Sequence, residues 1–202
     1  MCNCYNCEKI IEELNDIIDH SHEYTDKELK HQLEPYVYQK LKKNKIMEIN
    51  ICPDSHQYCE IFDTEFMGDG VRSICDIPSK TVIGCYLGCI EPVYNKSVDW
   101  KYAFAYALNG YVIDGSNKDS MMSVINHSRT PNVDVDYHYH IVDGKKQCHI
   151  VFITKSFIHS GEELYIDYGN EYWKFASKYG IIEFNEDERP LKRQRKITDY
   201  FR

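Results

Sequence analysis

From about residue 46 onward, apolar residues come in short runs separated by turn residues, and this texture limits the fold more than any other feature. Candidate strands are 46–51, 58–63, 71–75, 81–90, 102–107, 111–113, 133–142 and 148–154. Asp143-Gly144, between the last two, is a turn pair that predicts a hairpin. Short strands with frequent turns and few helices predict a folded β assembly, not an open α/β sheet. The stretch before residue 46 has the other period. Ile10, Ile11, Leu14, Ile17 and Ile18 recur at helical spacing, and a second helix is expected from the capping box Thr25-x-x-Glu28. That helix presents Leu29, Leu33, Tyr36, Val37 and Leu41, with Pro35 as a kink or restart point. Two shorter helices are expected over 118–124 and 170–179.

At 202 residues the chain holds one ordinary domain with a modest extension. It has nine Cys and no export signal, which reads as mostly reduced thiols in a cytosolic or nuclear protein, with the nucleus favoured. No apolar run approaches the ~18 residues that span a bilayer, so no membrane partner is expected. Net charge is −8, yet residues 189–202 carry six Lys/Arg against one Asp, leaving −13 on the rest. An acidic body repels nucleic acid and attracts basic peptides; a solvated acidic surface kept for solubility is the other reading. Seventeen Tyr suit half-buried strands and also line channels that hold a cation.

Three segments concentrate chemistry: Gly68-Asp69-Gly70-Val71, Val124-Ile125-Asn126-His127-Ser128, and Gly161-Glu162-Glu163-Leu164-Tyr165-Ile166-Asp167-Tyr168-Gly169. Each alone is common. Glycine backbone permits close approach of a ligand, and an Asn side chain offers donor and acceptor together. In this order and spacing, over roughly 58–180, the three resemble the SET-domain protein lysine methyltransferases. The resemblance implies a mostly β (α+β) fold of short curved sheets with a threaded C-terminal segment. Residues 1–45 would then be a helical lobe, 46–182 the SET domain and 183–202 a mobile tail.

The resemblance also implies S-adenosylmethionine as cofactor. Gly68, Asp69 and Gly70 would contact it through main-chain groups, with Asn126 and His127 holding its polar edge. Tyr168 takes the place of the family's essential tyrosine. A lysine amine must be neutral to attack a sulfonium methyl, and a desolvated channel favours that form. Catalysis is then positioning and dipoles, with no metal and no covalent intermediate. Tyr102, Phe104 and Tyr106 alternate on one expected strand; with Tyr111 they read either as a wall of the lysine channel or as core. Trp173 reads as lying against the cofactor, as capping the channel, or as a core anchor. Ile166 stands where many members have Phe or Tyr, which leaves room for di- or trimethylation.

Besides Ile166, two departures stand out. Arg129 replaces the Cys that often follows Asn-His-Ser, and no Cys follows Cys148, so the zinc site found after the domain in larger members is missing. Ser123 replaces a frequent Arg. A Tyr-Trp follows the Asp-Tyr-Gly, as in the minimal SET enzymes of large DNA viruses. Cys2, Cys4 and Cys7, and separately Cys52, His56 and Cys59, are compatible with zinc, but neither trio supplies four ligands, so no metal is expected.

The C-terminal Gln194-Arg195-Lys196-Ile197-Thr198-Asp199-Tyr200-Phe201 resembles the PIP box, the peptide that binds the PCNA sliding clamp. Gln194, Ile197, Tyr200 and Phe201 fit its four anchor positions, and one tight helical turn would gather the last three into an apolar plug. The resemblances together imply methylation of a lysine on a basic protein, a histone first among them, delivered to replicating DNA by the clamp. A non-histone lysine, or an inactive scaffold that binds the clamp, are the alternatives.

Overall fold

The computed structural model describes residues 5–43, 45–49, 53–65, 67–117, 120–142, 145–170 and 172–173. Helix α1 (Tyr5–Asp19) buries Cys7, Ile10, Leu14 and Ile17 along one stripe, as an amphipathic helix should. A 3-10 turn over Ser21–Glu23 leads to α2 (Asp26–Gln32). The capping box forms: Glu28 N–H donates to Thr25 Oγ1 at 3.3 Å, and Thr25 N–H donates to Glu28 Oε2 at 2.7 Å. The expected second helix is two helices. Leu33 is extended, and Pro35 opens α3 (Pro35–Lys42) at a position where its missing N–H is not needed. Glu34 Oε2 accepts from Tyr36 and Val37 N–H instead, while burial raises the Glu34 pKa.

The strands are β1 (Met47–Ile49), β2 (Cys59–Thr64), β3 (Gly68–Ser73), β4 (Val82–Cys85), β5 (Cys89–Pro92), β6 (Ala103–Ala105), β7 (Tyr111–Asp114), β8 (Asn126–His127), β9 (Val133–Val142), β10 (Lys145–Thr154) and β11 (Tyr165–Ile166). They form small sheets, so the architecture is mostly β, as expected of a SET-domain fold. Two of the expected strands are corrected. The 81–90 strand is two, broken around Gly88, where a Cβ would run into the Asp114 carbonyl oxygen. The 102–107 strand shrinks to β6: Tyr102 closes a 3-10 turn over Trp100–Tyr102, and Tyr106 lies beyond the strand, so no single face carries Tyr102, Phe104 and Tyr106. In place of the 118–124 helix is a 3-10 turn over Met121–Val124. Asp143 and Gly144 lie outside the described residues, and the strands they join are neighbours in one sheet.

Two compact units divide the chain. The first lies within 1–55, 82–123 and 135–152. It holds α1 to α3, most of the sheet ordered β1-β9-β10-β4 and the antiparallel sheet β5-β7-β6. Ile83, Ile90, Ile113, Ile150 and Phe152 are fully buried in it. The helices are tied in by main-chain bonds, Glu34 N–H to the Ala107 carbonyl at 2.9 Å and Asn109 N–H to the Gln32 carbonyl at 2.7 Å. Cys7 Sγ, fully buried, accepts from Ile90 N–H at 3.2 Å. Burial pushes the Cys148 thiol up to about 12. His149, on β10, is lowered to about 4 by burial and by the neighbouring His140. Cys85 is in a disulfide, whereas Cys59, Cys75 and Cys148 are free thiols.

The second unit lies within 56–81, 124–134 and 153–202. β2 and β3 make an antiparallel hairpin with Thr64 opposite Gly68. The segment 161–166 runs beside β3: Gly161 N–H donates to the Ser73 carbonyl, Ser73 N–H to Glu162, and Leu164 N–H to Val71, all at 2.8–2.9 Å. It then becomes β11, which pairs in parallel with β8, Tyr165 opposite Asn126 and Ile166 opposite His127. One extended segment thus joins three stretches that are far apart in sequence.

Candidate active site

The second unit gathers most of the residues singled out by the motifs. Its base is β3. Gly68 and Gly70 are buried and Asp69 between them is exposed, as alternation on a strand dictates. Gly70 is required by close approach: a Cβ there would lie 2.7 Å from Thr64 Cγ2, 2.9 Å from Asn126 Nδ2 and 2.9 Å from Glu163 Oε1. The bare backbone admits the Asn126 amide, which donates to the Asp69 carbonyl at 3.3 Å and to Glu163 Oε1 at 3.1 Å. Asn126 is 9% exposed.

Sequence reasoning assigned no role to the residues that hold this arrangement. Asn132 clamps two elements: its Nδ2 donates to the Glu163 carbonyl at 2.9 Å and its Oδ1 accepts from Tyr165 N–H at 2.8 Å. Glu163 uses both carboxylate oxygens, one for Asn126 and one for the Tyr165 hydroxyl at 2.7 Å. Ser128 N–H donates to the Ile166 carbonyl at 3.0 Å and extends the β8–β11 ladder. In sequence both residues sit among polar turn residues, Arg129-Thr130-Pro131 before Asn132 and Ser160-Gly161-Glu162 before Glu163, so no local signal marks them.

Beyond β11 the chain turns at Asp167, whose Oδ1 accepts from Gly169 N–H at 2.8 Å. Gly169 has φ +79°, a left-handed value natural to glycine. This turn sends the Tyr168 side chain back over β8. Its N–H donates to His127 Nδ1 at 3.1 Å and its hydroxyl donates to the Ile125 carbonyl at 2.7 Å. His127 is therefore unprotonated at Nδ1 where that bond is made, and Asp167 Oδ1 lies 3.7 Å from the same atom.

Helical backbone begins at Gly169, and Tyr172 and Trp173 are the last described residues of the expected 170–179 helix. Their rings complete an aromatic cluster. Trp173 stacks on Tyr168 at 5.9 Å and 18°, meets His127 edge-on at 4.9 Å and Tyr172 at 4.9 Å. Tyr172 also meets Tyr168 at 4.7 Å, and burial raises the Tyr172 pKa. Trp173 Nε1 is buried and finds no hydrogen-bond partner among the described residues. The orphaned donor thus stands among the aromatic rings of His127, Tyr168 and Tyr172, faces of a kind that suit a planar base or a cation. Ile166 is 3% exposed, beneath this cluster in chain order and paired with His127.

Tyr102, Tyr106 and Tyr111 belong to the first unit. The Tyr102 carbonyl accepts from the Tyr86 hydroxyl at 2.5 Å, and Lys101 Nζ lies 5.1 Å from the Tyr102 ring centre. Tyr106 is buried, its hydroxyl has no partner among the described residues, and burial raises its pKa well above the usual phenol range. Tyr106 N–H donates to the Tyr111 carbonyl at 3.0 Å, so these two come together through the main chain. Gln194, Ile197, Tyr200 and Phe201 lie outside the described residues, as do Cys2, Cys4 and Cys52. Among the described residues no three metal-ligating side chains converge on a point, and no helix is long and apolar enough to cross a membrane.

Residues 68–169 match the SET domain family. The chain is 27% identical over 124 residues to "Histone-lysine N-methyltransferase EHMT1" of Homo sapiens, covering 59% of this chain and 10% of that protein. It is 31% identical over 135 residues to "Histone-lysine N-methyltransferase SETD2" of Mus musculus, covering 61% of this chain and 5% of that protein. The chain thus spans a tenth or less of the curated relatives it matches. The family match runs from the Gly68-Asp69-Gly70 strand to the glycine turn after Tyr168 and takes in half the sequence: the chain belongs to the SET-domain family.

Proposed function

We propose that this chain is an S-adenosylmethionine-dependent protein-lysine N-methyltransferase and that its substrate is a histone lysine. The observation that carries the reading is the convergence of Gly70, Asn126, Glu163 and His127 with the Tyr168 hydroxyl in one unit. Bound S-adenosylmethionine would supply an electrophilic methyl group on a sulfonium. The main chain of Gly68, Asp69 and Gly70, the side chains of Asn126 and His127, and the Trp173 ring with its unpaired Nε1 would hold it.

What the chain contributes is placement. Tyr168 presents a hydroxyl fixed by the Ile125 carbonyl, a dipole aimed without reorganisation. A desolvated channel beside it would favour an uncharged lysine amine. Ile166, buried and paired with His127, is proposed to line the path of that amine. The acidic body supports a basic protein as substrate, and two histone-lysine methyltransferases among the similar proteins support a histone. The test is incubation of the full chain with S-adenosylmethionine and core histones, read by mass spectrometry, with Tyr168→Phe beside the wild type. Methyl transfer that survives in the variant at wild-type rate, or none in either, overturns the reading.

The tail carries a second, independent part of the proposal: residues 194–201 bind the PCNA clamp through Gln194, Ile197, Tyr200 and Phe201. The four anchor types at their spacing support it, within a basic segment. Calorimetry of the full chain with PCNA, against Ile197→Ala and Phe201→Ala, decides it. The boundaries at residues 45 and 182 belong to this proposal too.

A further inference from the structure

Three histidines share one face of the sheet in the first unit. His138 and His140 are two apart on β9, and residues two apart on a strand point the same way. His149, on the neighbouring strand β10, meets His140 ring to ring at a centroid distance of 5.5 Å and 62°, so it stands on that face as well. A core built for packing alone has little use for these side chains. His138 and His149 are 4% and 6% exposed. Both ring nitrogens of His149 and Nδ1 of His138 are buried with no hydrogen-bond partner among the described residues. Buried polar atoms are normally satisfied, and each exception calls for a reason.

The other nitrogen of His138 supplies a clue to that reason. Nε2 lies 3.2 Å from Asp136 Oδ2, and Asp136 is itself held by Lys40. A carboxylate on one ring nitrogen fixes the ring and leaves the other nitrogen as a lone-pair donor, the usual support of a metal-binding histidine. Two imidazoles bound to one tetrahedral ion at ~2.0–2.1 Å hold their centroids roughly 5 Å apart, close to the His140–His149 separation. We propose that His138, His140 and His149 bind a single divalent transition-metal ion of the zinc class, with Asp136 as the positioning carboxylate. Three neutral imidazoles leave a fourth position for water. The three rings do not yet point at one spot, so binding requires a side-chain rotation. His140, the least buried of the three rings, would make that rotation and marks the side from which the ion enters.

This site is separate from the methyl-transfer reading and stands or falls without it. The experiment takes the full chain, stripped with chelator, and titrates it with Co2+, whose colour reports coordination, and with Zn2+ by calorimetry. One equivalent is expected, with the visible bands of a nitrogen/oxygen tetrahedron and no thiolate charge-transfer band. Zn2+ should raise Tm in the wild type and leave it unmoved in His140→Ala, a change at the least buried of the three positions. Asp136→Asn should lower affinity by on the order of 10- to 100-fold. Absence of Co2+ binding, a thiolate band that moves the ion to the cysteines, or unaltered affinity in His140→Ala would each overturn the site.

Discussion

The Tyr168 main-chain N–H donates to His127 Nδ1 at 3.1 Å, across 41 residues of sequence. This bond couples two motifs. It sets the tautomer of the histidine and, through the same backbone, the direction of the tyrosine ring whose hydroxyl reaches the Ile125 carbonyl.

Tyr168→Phe removes one hydroxyl and leaves the ring stack with Trp173 intact. Stability should fall by only about 1 kcal/mol, the net worth of an ordinary hydrogen bond. Methyl transfer should fall by about 100-fold or more, the usual cost of losing an oriented dipole. Denaturant titration beside single-turnover transfer separates the two effects.

Gly70→Ala puts a methyl group among Thr64, Asn126 and Glu163. Overpacking of this kind costs roughly 1–3 kcal/mol, and here the atoms displaced include the Asn126 amide. Affinity for S-adenosylmethionine should drop along with the denaturation midpoint. A variant with wild-type affinity would show that Asn126 is not a cofactor contact.

Ile166 is buried and paired with His127. The wild type should carry a peptide beyond monomethyl-lysine, and Ile166→Phe should stop it there by filling the space a second methyl group needs. Intact-mass spectra of the product at long incubation give the answer directly.

His149 gives the protein a pH dependence. Its pKa is depressed from 6.5 to about 4 by burial and His140, so between those values the unfolded chain binds a proton that the folded chain refuses. Stability is therefore full above pH 6.5, and it falls as pH drops toward 4, by on the order of 3 kcal/mol. His149→Gln should flatten this part of the curve in urea unfolding followed across pH 4 to 7. A curve identical to the wild type would exclude His149 as its source.

How much of this was legible beforehand differs by range of interaction. The helical stripe of α1 and the Thr25–Glu28 box depend on residues three or four apart, and they form as the pattern reads. The break at Gly88 depends on Asp114, and the position of Tyr106 outside β6 on how the turn at Trp100–Tyr102 uses up chain; neither has a local signature. The Gly-Asp-Gly, Asn-His and Asp-Tyr-Gly segments were readable as a group, yet the clamp that aligns them, Asn132 to Glu163, spans 31 residues and looks like ordinary loop polarity in sequence. His138 and His140 read as half of an alternating strand. Only the ring of His149 from the next strand distinguishes that face.

The parallel pairing of Asn126 with Tyr165 and of His127 with Ile166 is just two residues long. So short a ladder has little strength of its own and must wait for distant parts of the chain to settle before it can close. What assembles last tends to loosen first. Gentle warming should therefore silence the protein while its helices are still intact, and amide exchange at 126–128 and 165–168 should outpace that in the long strands β9 and β10.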